Sequence, residues 1–327
     1  DIIKGSTIMI PITLNWKQIQ PLIGKMDMND SMREAFIEYS KGNAVIPPVG
    51  ELIMHQPPGE VHIKYGYIKG GNHYVIKIAS GFPHNQKENI KPGQGMMLLF
   101  DIKTGVPEAI LIDDANLTDI RTAIAGAIAS HALSNHNPGS LAIIGTGVQA
   151  RYQASYISKL MNINKIIIWG RDSAKANEVK TDLTDLDVSI ETDLEKLVRE
   201  SRLIITTTSS KEPLIQSDWV KPGTHITAVG SDTPEKCELD PNLLKRADLV
   251  VADSLDQNLI RGEIHQAVKR SLIDTESIVE LGEIFGGLNP GRISEDSITI
   301  SDLTGVAVQD LVIAKAVYLE AKNKAFL

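Results

Sequence analysis

Cysteine is nearly missing from this chain: Cys237 stands alone among 327 residues. One thiol makes no internal disulfide, and no Cys/His cluster has zinc-binding spacing, so no metal site is expected. A reducing, cytoplasmic setting fits best. Basic excess is missing too. The 33 Lys and Arg against 41 Asp and Glu leave a formal charge of -8, which argues against nucleic acid or an anionic membrane as partner, since both select basic surfaces. No run approaches the ~18 apolar residues of a membrane span. The opening "DIIKGSTIMIPI" lacks the basic head and long apolar run of a signal peptide. It does not begin with Met, so a trimmed or tag-derived start is expected. A phosphate loop ending Gly-Lys-Ser/Thr is absent, as is a Gly-x-Ser-x-Gly elbow, which leaves kinase and hydrolase readings without a carrier. There are no internal repeats.

What is present suits two domains of ordinary composition, 42% apolar and 23% charged. Residues 1 to about 115 read as helix mixed with antiparallel strand. "NDSMREAFIEYSKG" is a helix capped by Asn29 or Asp30 and stopped at Gly42. "HIKYGYIKGGNHYVIKIAS" alternates on both sides of Gly70-Gly71-Asn72, a hairpin, and "MMLLFDIKTGVPEAILI" repeats the pattern. After Asp114 the rhythm changes. The helix "NLTDIRTAIAGAIASHAL" leads into short apolar runs, "LAII", "IIIW", "LIITT", "ITAV" and "LVVAD", alternating with amphipathic helices. Continuous apolar strands between helices indicate a parallel sheet covered on both faces. The fold class is therefore α/β: a Rossmann-type doubly wound parallel sheet beside an α+β domain. The tail "TGVAVQDLVIAKAVYLEAKNKAFL" is a long helix expected to pack on the first domain.

"LAIIGTGVQARYQ" places Gly145, Gly147 and Ala150 as Gly-x-Gly-x-x-Ala between a strand and a helix, an accepted dinucleotide fingerprint. The first glycine permits the turn, the second lets backbone approach a pyrophosphate, and phosphate then sits on the helix N-terminus. The next strand ends "IIIWGRDSAKA". NAD sites usually carry an acid there; here Arg171 stands in that place, a forked donor suited to a 2′-phosphate. The reading leans to NADP, and Asp172 keeps NAD open.

A nicotinamide enzyme also needs groups that hold the substrate and move a proton. Arg121 lies early in the helix before the fingerprint strand and could clamp a carboxylate, with Thr122 meeting a phosphate. Lys77 sits among Val75, Ile76, Ile78 and Ala79, and lysine is rarely buried without a partner. Asp232 follows "ITAV" at the carboxyl edge where doubly wound sheets bind ligands, placed to exchange a proton with an amine or imine. The plainer readings are a surface arginine, a strand-edge lysine and a turn aspartate before Pro234.

Taken together, "IKIASGFP", "LLFDIKTGVPEAIL", "LTDIRTAIAGAIA", "IIGTGVQA", "AVGSDTPEKCELD" and "ITISDLTGVAVQDLVIAKAVY" resemble the ornithine cyclodeaminase/mu-crystallin family nearly end to end. The archaeal alanine dehydrogenase and ketimine reductase branches are especially similar. The resemblance implies a homodimer, with residues 1–118 and 306–327 binding substrate and forming the dimer contact and residues 119–305 binding the dinucleotide. It implies that Lys77 and Arg121 hold the substrate carboxylate, Asp232 is the catalytic acid/base with Lys77 polarising the imine, and Leu303 faces the substrate. Lys64, a departure from the family, is read from its own charge as a further substrate contact. Cofactor contacts implied are Arg121, Thr122, Gly145, Gly147, Val148, Gln149, Arg171, Thr208, Val229, Gly230, Ser231, Lys236 and Thr304, with Leu303 to Gly305 near the nicotinamide.

Two departures bear on substrate. Many members carry an arginine after the first Pro-rich stretch, where this chain has Val49 and Gly50. The ornithine-cyclising enzymes place a glutamate on the following strand, where this chain has His62 and Lys64. Basic groups there favour a second carboxylate, as in an imine of oxaloacetate, over a diamino acid. The expected activity is NAD(P)H-dependent reduction of a 2-imino acid or cyclic ketimine to an L-amino acid. A cyclodeaminase that releases ammonia from a diamino acid, and a non-catalytic NADP-binding protein, are the alternatives.

Overall fold

The computed structural model describes residues 10–24, 26–88 and 90–324. Most of the opening segment examined for a leader, residues 1–9, lies outside them. Contacts gather the chain into two units, one ending at Arg121 and resuming at Val306, the other running from Thr122 to Gly305.

The first unit is built on a seven-stranded sheet in the order β1-β7-β6-β5-β4-β2, with β3 paired to β4. Its strands are β1 (Ile12–Asn15), β2 (Ala44–Val45), β3 (Gly50–His55), β4 (Pro58–Ile68), β5 (His73–Gly81), β6 (Gly93–Asp101) and β7 (Pro107–Ile112). The β4–β5 hairpin turns through Gly70 at φ +80, which only glycine adopts without strain. Asp101 closes the β6–β7 turn by accepting from the Lys103 and Thr104 amides at 3.0 and 2.8 Å. Antiparallel pairing is not universal, because β1 runs parallel to β7. Helix α1 (Trp16–Ile23) has an Asn15 capping box. Helix α2 (Asn29–Ser40) departs from expectation: Met28 holds the cap position with no side-chain bond, and the Asn29 amide donates to Asp27 at 3.0 Å. Asn29 and Asp30 therefore do not cap it. The last helix, α11 (Ala307–Asn323), lies on β4, β5 and β6 and against α2.

The helix α3 (Asn116–Leu133) carries the chain from one unit into the other. In the second unit eight strands form one sheet, all pairings parallel, in the order β10-β9-β8-β11-β12-β15-β13-β14. They are β8 (Leu141–Ile144), β9 (Lys165–Trp169), β10 (Asp187–Ile190), β11 (Leu203–Thr206), β12 (His225–Ala228), β13 (Leu249–Ala252), β14 (Ile278–Glu280) and β15 (Thr299–Asp302). Between them lie α4 (Val148–Met161), α5 (Ser173–Asp182), α6 (Leu194–Glu200), α7 (Pro241–Arg246), α8 (Leu255–Asn258), α9 (Gly262–Val268) and α10 (Leu281–Phe285). The central strands are buried on both faces, and Ile143, Ile204, Ile226 and Ile300 have no exposure. Burial of each contributes about 1.5–3 kcal/mol. The order reverses at β8, which has β9 on one side and β11 on the other. That switch point opens a crevice at the carboxyl ends of the strands.

One polar seam crosses this apolar interior. Buried His225 reaches Thr299 Oγ1 from Nδ1 at 2.8 Å and Thr227 Oγ1 from Nε2 at 2.9 Å. The Thr299 hydroxyl donates to the Leu133 carbonyl at 2.9 Å, so it must accept from Nδ1–H, and Nε2 accepts from Thr227. Burial, with the Arg292 guanidinium nearby, pushes the imidazole down to about 3 and keeps it neutral.

Candidate functional site

In the first unit two cations converge on one buried carboxylate. Lys77 lies mid-strand in β5, and its Nζ is 3.5 Å from Asp310 Oδ2. Arg121, early in α3, places Nε 3.1 Å from Asp310 Oδ1 and donates from Nη1 to Gln309 Oε1 at 2.6 Å. Asp310 is fully buried in the first turn of α11, where the helix dipole favours a negative charge. Lys64 stands opposite Lys77 in the β4–β5 register and is also buried, so both lysines share one face of the sheet. Burial brings Lys77 down to about 8, against the pull of Asp310. Asp113, whose carboxylate accepts from the Leu117 amide at 2.7 Å at the start of α3, is pushed by burial up to about 6. His62 lies between Glu51 and Glu60, 3.5 Å from each.

The second unit holds a crevice of about 450 Å³ at the switch point. Gly145 has φ +132, and a side chain there would collide with Thr207. Gly147 is the N-cap of α4 with no side-chain cap, and a Cβ built on it meets nothing within 4 Å. The first turn of α4 thus has no side-chain cap, and the backbone at Gly147 can be approached closely, a cradle that fits a dinucleotide pyrophosphate. Across the crevice, Arg171 and Lys175 are exposed and line it, as does Trp169. Asp172 is engaged elsewhere: its carboxylate caps α5, accepting from the Ala174 and Lys175 amides at 2.9 and 3.4 Å. Thr208, Val229, Asp232 and Lys236 line the same crevice. The Asp232 carboxylate is half exposed and receives the Lys236 ammonium at 2.5 Å.

Among the residues singled out from sequence, Gly145, Gly147, Gln149, Arg171, Thr208, Val229, Gly230, Asp232 and Lys236 come together at this crevice, while Lys64, Lys77 and Arg121 gather in the first unit. Val148 is exposed at the start of α4. Four others are turned inward or backed by protein. The Ser231 hydroxyl donates to Glu263, the Thr304 hydroxyl donates to Asp253 at 3.1 Å, and Leu303 is buried with its amide on the Ala228 carbonyl. The Thr122 carbonyl accepts from Gln153 at 3.1 Å. Sequence reasoning missed Asp310, Gln309, Asp113, Glu238 and Glu263. An acid inside the apolar stretch "GVAVQDLVIA" was the available signal for Asp310. Among the described residues no group of three or more His, Cys, Asp or Glu is arranged for a metal ion, and no helix is long and apolar enough to cross a membrane.

The model of the ornithine cyclodeaminase/mu-crystallin family matches residues 13–325. The chain belongs to that family. It is 38% identical over 314 residues to an uncharacterized cyclodeaminase of Sinorhizobium fredii, covering 94% of each. It is 33% identical over 315 residues to the iminosuccinate reductase of Paracoccus denitrificans, covering 94% of this chain and 96% of the relative. The crystal structure of the Paracoccus denitrificans enzyme in complex with NAD+ matches at TM-score 0.86 and 30% identity, over 96% of this chain and 97% of that one. An archaeal alanine dehydrogenase dimer with bound NAD matches at TM-score 0.87 and 31% identity, again over 96% and 97%. These structures share the α/β fold, with its parallel sheet and second mixed sheet.

Proposed function

We propose that this chain reduces a 2-imino acid or cyclic ketimine to an L-amino acid with a reduced nicotinamide dinucleotide as donor. The observation that carries the reading is the buried Lys77–Asp310–Arg121 cluster. Lys77, Arg121 and, opposite Lys77, Lys64 stand against Asp310 and the nearby Asp113, three cations to two carboxylates, and a substrate carboxylate would balance the excess. A protein that only stored a dinucleotide has no use for that arrangement. The bound nicotinamide would supply hydride to the imine carbon. Arg121 and Lys77 would hold the carboxylate, and Asp232 would give a proton to the nitrogen while Lys236 fixes its carboxyl group. Lys64 opposite Lys77 favours a second carboxylate on the substrate within this class, in keeping with the iminosuccinate reductase among the relatives.

The assay mixes the protein with NADPH or NADH and a panel of 2-oxo acids with ammonia or methylamine, plus cyclic imines, and follows nicotinamide absorbance. Oxidation with one imino acid is expected, with acidic side chains preferred over cationic ones. Ammonia released from ornithine without net absorbance change would replace this reading with the cyclodeaminase one. Silence in every well would leave only dinucleotide binding.

For the cofactor we propose NADP. Asp172, the acid nearest the place where NAD sites present one, is committed to capping α5, and Arg171 and Lys175 stand free to meet a 2′-phosphate. Arg171→Ala should raise KM for NADPH about 10–100-fold and leave NADH within about twofold, the loss of one charge-assisted pair. Equal effects on the two cofactors would remove the NADP assignment. We also propose a homodimer, supported by a groove of about 480 Å³ between α2 and α11 with apolar walls that include Ala35, Leu311 and half-exposed Leu319. A monomer mass by light scattering would exclude it.

A further inference from the structure

Glu238 and Glu263 have no exposed surface, and neither lines the crevice. Glu238 accepts from Thr206 Oγ1 at 2.7 Å, from the Gly230 amide at 2.9 Å and from the Thr208 amide at 2.5 Å. Thr208 and Gly230 follow β11 and β12, adjacent strands, and both line the crevice. A single carboxylate therefore ties two strand-end loops to each other. The approach is close enough that a Cβ on Gly230 would collide with both the Thr208 carbonyl and Glu238.

Glu263 repeats the device from α9. It accepts from the Ser231 hydroxyl, from the Glu238 amide at 2.7 Å and from the Leu239 amide at 3.1 Å. The segment from Gly230 to Leu239 is thus pinned at both ends by buried carboxyl groups. Asp232 and Lys236 lie between the pins. Burial raises both glutamates, and the Glu238 carboxyl beside it helps push Glu263 up to about 7. Two neighbouring carboxyl groups in a dry interior cost several kcal/mol that well-packed apolar side chains would not. Their hydrogen bonds run to the loops around the crevice, so the stabilisation they return is placed there.

We propose that Glu238 is a positioning residue. Its carboxylate sets the spacing of the Thr208 and Gly230 loops and, with Glu263, holds the segment that presents Asp232 and Lys236 to the crevice. The proposal rests on the reading of that crevice as the nicotinamide dinucleotide site. Glu238→Gln keeps the size of the side chain but turns an amide NH₂ toward a backbone donor, so one loop contact is lost. Thr206→Val removes only the strand-side bond and leaves both loop contacts in place.

Cofactor binding is read from quenching of Trp169, which lines the crevice. Glu238→Gln should weaken NADPH binding about tenfold or more. Thr206→Val should lower the melting temperature while leaving binding within about twofold. An equal loss in the two variants, or normal binding by Glu238→Gln, would overturn the proposal. In an Asp232→Asn background, Glu238→Gln should add little further loss of kcat, because both changes act through the same carboxyl group. Fully multiplicative losses would overturn it as well. If Glu238→Gln melts below the assay temperature, Glu263→Gln serves instead. Weakened NADPH binding would support the proposal, and wild-type affinity would overturn it. Wild-type protein that binds neither NADPH nor NADH would instead refute the dinucleotide reading itself.

Discussion

Asp232→Asn is expected to lower kcat for imine reduction about 10²–10⁴-fold, the range for removing a general acid, while NADPH binds nearly as tightly as before. The carboxyl group is half exposed at the carboxyl edge of the parallel sheet, beside Thr208, Gly230 and Lys236 in the same crevice. Its contact to Lys236 is one that asparagine can keep, and the backbone on either side is fixed by Glu238 and Glu263. Asparagine keeps the shape and an acceptor for Lys236 but cannot release a proton to an imine nitrogen. Chemistry and binding should therefore separate. Single-turnover reduction and fluorescence titration of the cofactor, run on one preparation, measure the two quantities. Normal turnover with weakened cofactor binding would assign Asp232 to the cofactor instead.

Much of this organisation is legible in the sequence because it is local. Apolar runs of four or five residues announce β8, β9, β11, β12 and β13, and the Gly145–Gly147 turn sits where a strand passes into α4. Strand β15, "TISD", lies between β12 and β13 and shows no such run, because all its side chains but Ile300 are polar. The edge strands β10 and β14 are harder to read. "DVSI" alternates polar and apolar residues and "IVE" spans only three, since an edge lacks a neighbour to bury one side. The start of α2 differs from the sequence pattern by a shift of position. Asn29 and Asp30 have the right chemistry, but both already lie inside the first turn of α2, and it is the Asp27 carboxylate, one step earlier, that accepts from the Asn29 amide.

The site divides along the same line. Lys77 draws attention because a lysine among apolar strand neighbours needs a partner, yet nothing near it in the chain names that partner. Asp310 is supplied by α11 from the far end of the sequence. Glu238 and Glu263 are equally silent: in "KCELD" and "RGEIH" they look like surface acids, and only the stacking of β11, β12 and α9 buries them. Long-range burial of charge leaves no periodic trace.

Lys77 yields the second large effect and a pH signature that separates binding from folding. Lys77→Met should reduce kcat/KM for the imino acid about 10–10²-fold, because Arg121 and Asp310 stay paired without it while the surplus positive charge that meets the substrate carboxylate is lost, a charge-assisted contact of about 1.5–3 kcal/mol. In the wild type, burial holds Lys77 near 8. The ammonium form binds a carboxylate, so kcat/KM should fall as pH rises through about 8. Lys77→Arg, whose charge persists above pH 12, should abolish that basic limb even if its plateau is lower. Stability moves the other way. The folded chain releases this proton near 8 and the unfolded chain retains it to its ordinary value of 10.5, so between those values the unfolded state binds more protons and Lys77 makes folding more favourable as pH rises. A decline in kcat/KM above pH 8 therefore cannot come from Lys77 unfolding the protein, and melting curves across the same range check this. A flat profile to pH 10, or an unchanged limb in Lys77→Arg, would show that the charge of Lys77 does not hold the substrate.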